Sequence, residues 1–274
     1  PVDRRQRQMC IRDRVTSALC VPAMLNFMLQ VPNFEKFDRS TLRWMMTGAA
    51  PVPPALTKQY SDMGVELLQV YGLTETCGPA CLMDAKGSLI KPESTGKAFF
   101  HTEVKIVDSA GATCAAGEAG EVLVRGEHIM TEYWNRPEAT AETIVDGWLH
   151  TGDVATMDEQ GFVVIQDRIK DMIISGGENV YPAEIEGVLG AHPDISEAAV
   201  IGQESARWGE SPLAIVVRAN ESLTESDVLD YCNGKLARFK QPQAVVFVEQ
   251  IPRNPSGKIL KRVLREQFPD AAPT

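Results

Sequence analysis

The sequence predicts a mixed α/β protein with three parts: an α/β portion, a small antiparallel sheet or barrel, and a compact C-terminal α+β domain. Three observations support this fold class. Strand and helix patterns alternate over residues 41–79, and short strands separated by glycine and acidic turns follow from about 95 to 168. After about residue 170, strands alternate with amphipathic helices, which is typical of an α+β domain.

The composition limits the classes of function. The 274 residues are 44% hydrophobic and 23% charged, as expected for a globular protein of one large or two ordinary domains. The net charge of −10 argues against nucleic acid or an anionic membrane as the main partner. No apolar run reaches the roughly 18 residues of a membrane helix.

The cysteine pattern favours a cytoplasmic protein, with peripheral membrane association left open. The six cysteines form no C-x-x-C pair and the four histidines are scattered, so the sequence predicts reduced thiols and no zinc site. Residues 1–14 hold five arginines without a following signal-peptide core. We interpret this stretch as a non-native scar, with a basic targeting arm as the alternative.

In the first portion, residues 41–79 predict a strand, a small-residue turn, a helix, a second strand and a loop. Pro54 suits a helix start and Gly64 a helix end. The stretch "VELLQV" (65–70) is typical of a short buried strand. Ligands of such sheets bind at the strand ends, where these loops lie.

The second and third portions contain shorter elements. "EVKIV", "EVLVR" and "FVVIQ" predict strands of the small sheet or barrel. Farther along, Pro182 occupies the first position of a predicted helix, and Thr224 opens another helix over 224–237. A final helix is predicted to have an apolar stripe formed by Ile259, Leu260, Val263, Leu264 and Phe268.

Four short motifs are candidates for function. They are "YGLTE" (71–75), "GWLHTGD" (147–153), "DRIKDMIISGGENVYPAEIE" (167–186) and "PRNPSGK" (252–258). Each alone has an ordinary interpretation, such as a turn aspartate, a glycine turn or a solvated loop lysine. A nucleotide-binding P-loop is excluded because Pro252 stands where glycine is needed and Ile259 where a hydroxyl is needed. The order and spacing of the four motifs together are far more specific than any one motif alone.

Together these motifs resemble the adenylate-forming enzymes, which comprise acyl- and aryl-CoA synthetases, luciferases and peptide-synthetase adenylation domains. The resemblance runs from about residue 15 to the end, and "EYWNRPEAT" (132–140) adds a particular similarity to fatty-acyl-CoA synthetases. It implies a truncated adenylate-forming fold that represents the C-terminal half. The implied parts are 15–94, a remnant of the large α/β subdomain; 95–169, a barrel-like subdomain; and 170–274, a mobile α+β domain.

The resemblance also implies a reaction and its reactants. A carboxylic acid attacks the α-phosphate of ATP to give an acyl-adenylate and pyrophosphate, and the thiol of coenzyme A then displaces AMP. The implied cofactors are ATP, Mg²⁺ and coenzyme A, and the implied partner is a small carboxylic acid, medium- to long-chain in our interpretation. An aryl-acid CoA ligase, another acyl-adenylate-using relative, and an inactive interaction domain are the alternatives.

By resemblance, one group of residues contacts the nucleotide. Tyr71 stacks on adenine, and Asp153 accepts hydrogen bonds from the ribose hydroxyls while Arg168 donates to the ribose. The small residues that allow the main chain to approach the base are Gly48, Ala49, Ala50 and Gly72.

A second group is implied to act on the phosphates and the acid. Thr74 offers a hydroxyl to the α-phosphate, and Glu75 is the Mg²⁺ ligand, since a hard carboxylate oxygen suits that ion. Lys258 supplies a cation where charge develops during adenylation, on a turn that a mobile domain can deliver. Thr74, Glu75 and Lys258 are therefore the expected catalytic residues.

The resemblance further assigns Lys170 as the hinge between the large and small domains. Gly176 and Gly177 would let the pantetheine arm pass close to the backbone. Trp208 is a candidate for the coenzyme A entry route, with an ordinary surface role as the alternative. Asp167 stands where many relatives have glycine, so the contacts there are open.

The resemblance also implies a phosphate loop that is rich in glycine, serine and threonine, of the form T-S-G-T-T-G-x-P-K-G. This loop is not found in these residues. We therefore expect the 274-residue fragment alone to be inactive. The remaining acid pocket ("TGAAPV", "QVYGL", "CGPACLM") is small and apolar, which suits a fatty or aromatic acid. Chain length of the acid and oligomeric state are not determined by the sequence.

Overall fold

The computed structural model describes residues 14–254 and 257–269. The interpretation of residues 1–14 as a scar therefore lies outside the described residues, apart from Arg14. None of the helices in the described ranges is long and apolar enough to cross a membrane.

Contacts divide the chain into two compact units. The first unit contains the residues up to 151 together with 155–165, and the second contains 152–154 together with the residues from 166 onward. The domain boundaries predicted at 94/95 and 169/170 stay predictions.

The first sheet has α/β character. Its elements are β1 (Ser17–Cys20), α1 (Pro22–Leu29), β2 (Trp44–Gly48), α2 (Pro54–Asp62), β3 (Glu66–Leu73), β4 (Gly78–Leu82), α3 (Ala85–Ile90) and β5 (Lys97–Ala98). The strand order is β1-β2-β3-β4-β5; the first three strands are parallel, and β4 and β5 are antiparallel to their neighbours. The predicted helix start at Pro54 is confirmed, and Gly64 follows the helix with a left-handed φ of +75°.

The core of this sheet lies under α1 and α2. Leu25, Leu56 and Tyr60 are buried there, and the Tyr60 hydroxyl donates a hydrogen bond of 2.9 Å to the Leu25 carbonyl. On the same part of the sheet, Leu19 is 71% exposed and Phe27 is 67% exposed. An exposed apolar face at β1 and α1 therefore accompanies a packed core.

The second sheet contains five strands and one helix: β6 (Glu103–Val107), β7 (Gly120–Arg125), α4 (Pro137–Thr143), β8 (Ile144–Val145), β9 (Trp148–Met157) and β10 (Val163–Arg168). Its order is β10-β9-β7-β6, with β8 paired to β9. Val122, Leu149 and Val163 form part of its buried core. The order has two ends, so the described residues form an open sheet rather than a closed barrel.

The third sheet forms the α+β part. Its elements are β11 (Ile173–Ser175), β12 (Glu178–Val180), α5 (Pro182–Gly190), β13 (Ile195–Ser205), β14 (Gly209–Arg218), α6 (Glu225–Cys232), β15 (Ala244–Phe247) and α7 (Lys261–Gln267). The order is β12-β11-β14-β13, and β15 pairs with β14 in parallel. One core packs α5 and α6 on the sheet, and a second core packs α7 on it.

Two predicted loops are strands in the structure. Strand β3 continues through Tyr71 to Leu73, beyond the predicted end at residue 70. The Thr-Gly pair before Asp153, where the ordinary interpretation was a turn aspartate, is part of β9, and Gly152 has a φ of +69° within that strand. Residues 71–73 are extended because they pair with the neighbouring strand β4, and the sequence motif alone does not show that pairing.

Two helix predictions were too long. Helix α6 ends at Cys232, short of residue 237, because Gly234 adopts a φ of +74°. Helix α7 begins at Lys261, since Ile259 is bridged to Arg253 as extended backbone. Of the predicted stripe, Leu264 is buried and Ile259 and Phe268 pack around it, whereas Leu260 is 37% exposed and lies outside the stripe.

Asp167, the position left open by the sequence, caps helix α5. Its Oδ2 accepts a hydrogen bond of 2.9 Å from the Ala183 N–H, and its Oδ1 accepts one of 2.7 Å from the Arg168 N–H. Residue Tyr181, at the cap position itself, supplies no side-chain bond. A carboxylate near a helix N-terminus satisfies unpaired donors and interacts favourably with the helix dipole.

We expect Asp167→Ala to lower the free energy of unfolding by about 1 kcal/mol, the usual cost of a lost N-terminal cap. Urea unfolding of the chain, followed by circular dichroism, measures the change. Asp167→Asn, which retains an acceptor oxygen, should lose less. Equal stability of the wild type and the alanine variant would contradict this role.

Candidate active site

In the first unit, the predicted adenine-binding residues lie at adjacent strand ends. Gly48 ends β2 and pairs with Val70 of β3, next to Tyr71. A Cβ atom on Gly48 would lie 2.1 Å from the Val70 carbonyl oxygen, so only glycine fits there. Ala49 has a φ of +65°, and both Ala49 and Ala50 are exposed. The structure therefore places these small residues beside the half-buried Tyr71.

Gly72 is required by close packing of strands. A Cβ atom on it would lie 2.3 Å from the Gly78 carbonyl oxygen of β4. Thr74 and Glu75 follow in a single 3-10 turn. Thr76, which sequence reasoning missed, holds this turn: its buried hydroxyl accepts a 2.9 Å bond from the Leu73 N–H and donates a 2.6 Å bond to the Gly78 carbonyl. Thr74 is consequently exposed at the strand end.

Glu75 is half-buried and contacts a residue to which the sequence gave no role. Its Oε1 accepts a 2.7 Å hydrogen bond from the Tyr133 hydroxyl, and its carbonyl accepts a 2.8 Å bond from the Met130 N–H. Desolvation and the bond to Glu75 raise the pKa of Tyr133 above its usual value of 10.0. The signal that could have identified Tyr133 is its place in the quoted stretch "EYWNRPEAT".

The donor set at Glu75 fits a loosely coordinated magnesium ion. Among the described residues, no group of three or more His, Cys, Asp or Glu side chains could hold a metal. Mg²⁺ keeps several waters and binds through one or two carboxylates plus substrate phosphates, so a single glutamate is a suitable protein ligand. Oε2 of Glu75 has no hydrogen-bond partner within the described part of the chain.

In the second unit, the structure brings together Asp153, Arg168 and Lys258. Asp153 is only 5% exposed on β9, and its Oδ1 lies 3.2 Å from Nε of Arg168 on β10. Desolvation lowers the pKa of Lys258 from its ordinary value of 10.5. The charges of Arg168 and Lys170 lower it further, whereas those of Asp153 and Asp171 raise it. A carboxylate and two cations from distant parts of the sequence thus interact.

The loop that carries Lys258 is fixed by hydrogen bonds. The Lys258 N–H donates a 2.8 Å bond to Oδ1 of Asn254, and the Asn254 N–H donates a 2.9 Å bond to the Lys258 carbonyl. Arg253 Nη1 donates a 2.7 Å bond to the Gly257 carbonyl, while its Nη2 lies 3.0 Å from Glu197 Oε2. Residues 255–256 are outside the described ranges. The flanking residues therefore determine where Lys258 is held.

The predicted hinge residue Lys170 lies in a 3-10 turn, Ile169–Asp171. Arg265 of α7 lies 2.7 Å from Asp171 Oδ1 and donates a 3.5 Å bond to the Lys170 carbonyl. The turn is thus tied to the helix that follows Lys258.

Gly176 and Gly177 form the two-residue turn of the β11–β12 hairpin, in which Ser175 pairs with Glu178. Their φ angles of +61° and +87° match the turn type that requires glycine at such positions. Residues 175–179 ("SGGEN") therefore form a hairpin turn and not a single strand. The Gly176 N–H donates a 2.8 Å bond to the Trp208 carbonyl, and a Cβ on Gly176 would lie 2.9 Å from the Trp208 ring.

The residues of the candidate site thus fall into two groups, each described within its own unit. Glu75 and Tyr71 belong to the first unit, and Asp153, Arg168 and Lys258 belong to the second. Their roles in binding and catalysis stay predictions, although the structure groups the members of each set.

The chain belongs to the AMP-binding enzyme family, the adenylate-forming enzymes. The family model "AMP-binding enzyme" matches residues 2–134, and the model "AMP-binding enzyme C-terminal domain" matches residues 184–258. The two models follow one another along the chain and together cover more than half of it. The resemblance found in the motifs is therefore confirmed.

Several characterised proteins are similar to the chain. Long-chain-fatty-acid–CoA ligase FadD13 of Mycobacterium tuberculosis is 47% identical over 263 residues, which cover 96% of this chain and 52% of that protein. Feruloyl-CoA synthase of Amycolatopsis sp. is 42% identical over 258 residues, which cover 94% of this chain and 52% of that protein. The chain thus spans about half the length of the curated relatives it matches.

A solved structure confirms the fold class. The o-succinylbenzoate CoA synthetase MenE from Bacillus subtilis, in complex with the acyl-adenylate OSB-AMP, matches with a TM-score of 0.87 at 36% identity. The match covers 95% of this chain and 53% of MenE. MenE has also been solved with ATP and a magnesium ion.

The lowered pKa of Lys258 has a consequence for stability. The unfolded chain binds this proton more tightly than the folded chain, so stability rises with pH from the lowered pKa up to 10.5. Below this pH range, the charged ammonium of Lys258 destabilises the folded state. We expect Lys258→Gln to raise the thermal midpoint at neutral pH, with a gain that shrinks as pH rises through the window.

Thermal unfolding between pH 7 and 11, on the chain and the variant, measures this gain. Lys86→Gln is a matched control, because Lys86 is an exposed lysine on α3. A lower midpoint for Lys258→Gln at neutral pH would show that the ammonium stabilises the fold instead.

Proposed function

We propose that the chain carries the C-terminal half of an ATP-dependent acyl-CoA ligase. The reaction converts a fatty acid, ATP and coenzyme A to acyl-CoA, AMP and pyrophosphate through an acyl-adenylate. The observation that supports it best is the grouping of Asp153, Arg168 and Lys258. Asp153, whose carboxylate is paired with Arg168, can accept hydrogen bonds from the ribose hydroxyls. Lys258 lies close enough to this pair to interact with it electrostatically, and its ammonium can stabilise the negative charge that develops during adenylation.

In the first half-reaction, a carboxylate oxygen of the acid attacks the α-phosphorus of ATP and pyrophosphate leaves. Tyr71 stacks on adenine beside the small residues at the β2 end, and Thr74 donates its hydroxyl to the α-phosphate. Lys258 places its ammonium against the acid carboxylate and the bridging oxygen. Because these bonds hold the main chain of the loop that carries Lys258, less reorganisation of that loop is needed as charge develops.

Glu75 is the residue that would hold Mg²⁺, for which its donor chemistry is suited. When bound, Mg²⁺ neutralises negative charge on the phosphate oxygens. The carboxylate would offer Oε2 to the ion, while Oε1 accepts the hydrogen bond from Tyr133.

In the second half-reaction, the thiol of coenzyme A attacks the acyl carbon and AMP leaves. Lys170 is the proposed hinge for the movement that withdraws Lys258 between the two steps. The bare backbone of the Gly176–Gly177 turn would then lie along the pantetheine arm, with Trp208 beside it. This assignment rests on the family resemblance and on the compact glycine turn.

A fatty acid is the proposed substrate because of the similarity to FadD13 and the small apolar residues left in the pocket. An aryl acid is the second candidate, supported by the 42% identity to feruloyl-CoA synthase. We further propose a cytoplasmic enzyme that binds no nucleic acid, and we expect the 274-residue chain alone to lack turnover.

The test uses a completed enzyme, in which this chain follows the N-terminal half that its relatives possess. AMP release is measured with ATP, Mg²⁺, coenzyme A and either octanoate, palmitate, ferulate or 2-succinylbenzoate. We expect turnover to be fastest with a fatty acid. Preference for an aromatic acid would favour the second candidate, and no exchange of pyrophosphate into ATP with any acid would favour an inactive interaction domain.

In the completed enzyme, Lys258→Ala should slow acyl-adenylate formation by about 10²–10³-fold, or roughly 3–4 kcal/mol, because a placed cation is lost. Conversion of supplied acyl-adenylate with coenzyme A should change much less. Pyrophosphate exchange and thioester formation are assayed separately. Equal losses in both half-reactions would refute the role of Lys258 in adenylation alone.

A further inference from the structure

The hydrogen bond between Tyr133 and Glu75 connects segments that lie far apart in the sequence. The Tyr133 hydroxyl donates to Glu75 Oε1 at 2.7 Å, and both residues are half-buried. A half-buried phenol hydroxyl needs a hydrogen-bond partner. That need explains why Tyr133 makes a bond, but it does not explain why the partner is this carboxylate. Here the partner is the proposed metal ligand itself.

Tyr133 is held by its own surroundings. Its N–H donates a 2.9 Å bond to Thr140 Oγ1, and that hydroxyl donates a 2.9 Å bond to the Arg136 carbonyl. The Arg136 N–H in turn donates a 3.0 Å bond to the Tyr133 carbonyl. The start of helix α4 therefore positions the phenol before any ligand binds.

The same segment also binds the main chain of Glu75. The Met130 N–H donates a 2.8 Å bond to the Glu75 carbonyl. Residues 130–133 thus hold Glu75 at two points, the carbonyl and the carboxylate. The Met130 bond restrains the main chain of Glu75, and the Tyr133 bond restrains the rotation of its carboxylate.

We propose that Tyr133 is a positioning residue that orients Glu75 for a nucleotide-bound divalent cation. The inference rests on the proposed function, because it assigns Glu75 to the metal. Partners of a ligating carboxylate fix its orientation, and their loss typically costs about 10–100-fold in metal affinity or activity. Tyr133 would contact neither the substrate nor the ion.

The test is Tyr133→Phe in the completed enzyme. We expect the Mg²⁺ concentration for half-maximal pyrophosphate exchange to rise about 10-fold, with much of the rate restored at high Mg²⁺. As a readout besides activity, water proton relaxation measures the affinity of Mn²⁺ for the enzyme with ATP, and it should fall by a similar factor. Tyr231→Phe is the control, since within the described residues the Tyr231 hydroxyl donates its hydrogen bond to the Ala191 carbonyl, at 3.1 Å, and not to a site residue.

A double-mutant cycle separates positioning from general stabilisation. In a Glu75→Gln background, Tyr133→Phe should have little further effect on Mn²⁺ affinity, whereas a purely structural tyrosine would act alike in both backgrounds. Thermal midpoints of all variants check folding. Wild-type exchange with unchanged metal affinity in Tyr133→Phe would overturn the inference. Absence of exchange in the wild type would instead overturn the proposed function.

Discussion

The ion pair between Asp153 and Arg168 is the interaction on which the candidate site depends. A carboxylate that is 5% exposed is costly to desolvate unless a cation and hydrogen bonds compensate, and Arg168 supplies the cation at 3.2 Å. Residues 152–154 belong to the second unit although the flanking residues of β9 belong to the first. The same pair acts on Lys258 with opposite signs, since Arg168 disfavours its ammonium and Asp153 favours it. The ion pair therefore compensates the burial of Asp153, and its two charges modify the pKa of Lys258, which desolvation lowers.

Two lysines of the C-terminal motif occupy contrasting environments. Lys261 lies 2.8 Å from Glu186, the two side chains being 12% and 19% exposed, and Glu186 also accepts a 2.8 Å bond from the Val200 N–H. That ion pair connects α7 to α5. Lys258, three residues earlier, is held by backbone bonds beside other cations in a setting that lowers its pKa. A lysine whose charged form the fold disfavours is what the proposed catalytic role of Lys258 leads us to expect, because functional positions commonly reduce stability.

The sequence predicted the parts of the site that local motifs define, and it missed those that tertiary contacts define. The helix start at Pro54 follows from a backbone rule, so the sequence indicated it, whereas the turn at Gly176 and Gly177 was only the ordinary interpretation of a glycine pair. Tyr133 contacts Glu75 across 58 residues, and no periodic pattern reports such a bond. The exposed Leu260 illustrates the same limit, because the bridge between Arg253 and Ile259 delays the helix that its apolar pattern predicts. Local sequence patterns therefore indicate which residues are candidates for the site, and tertiary contacts determine which groups each of them touches.

The partners of the two acidic site residues distinguish what each can do. Asp153 is paired with a guanidinium, so its charge is largely balanced and its remaining capacity suits the acceptance of hydrogen bonds. Glu75 is bound by a neutral phenol, and in the described residues no ion pair joins it to a cation. A phenol orients a carboxylate without neutralising it, whereas an arginine there would compete with a metal ion. A carboxylate that no cation neutralises is the kind of hard oxygen ligand that suits a divalent cation. The partner of each residue is therefore consistent with the proposal that Glu75, rather than Asp153, is the metal ligand.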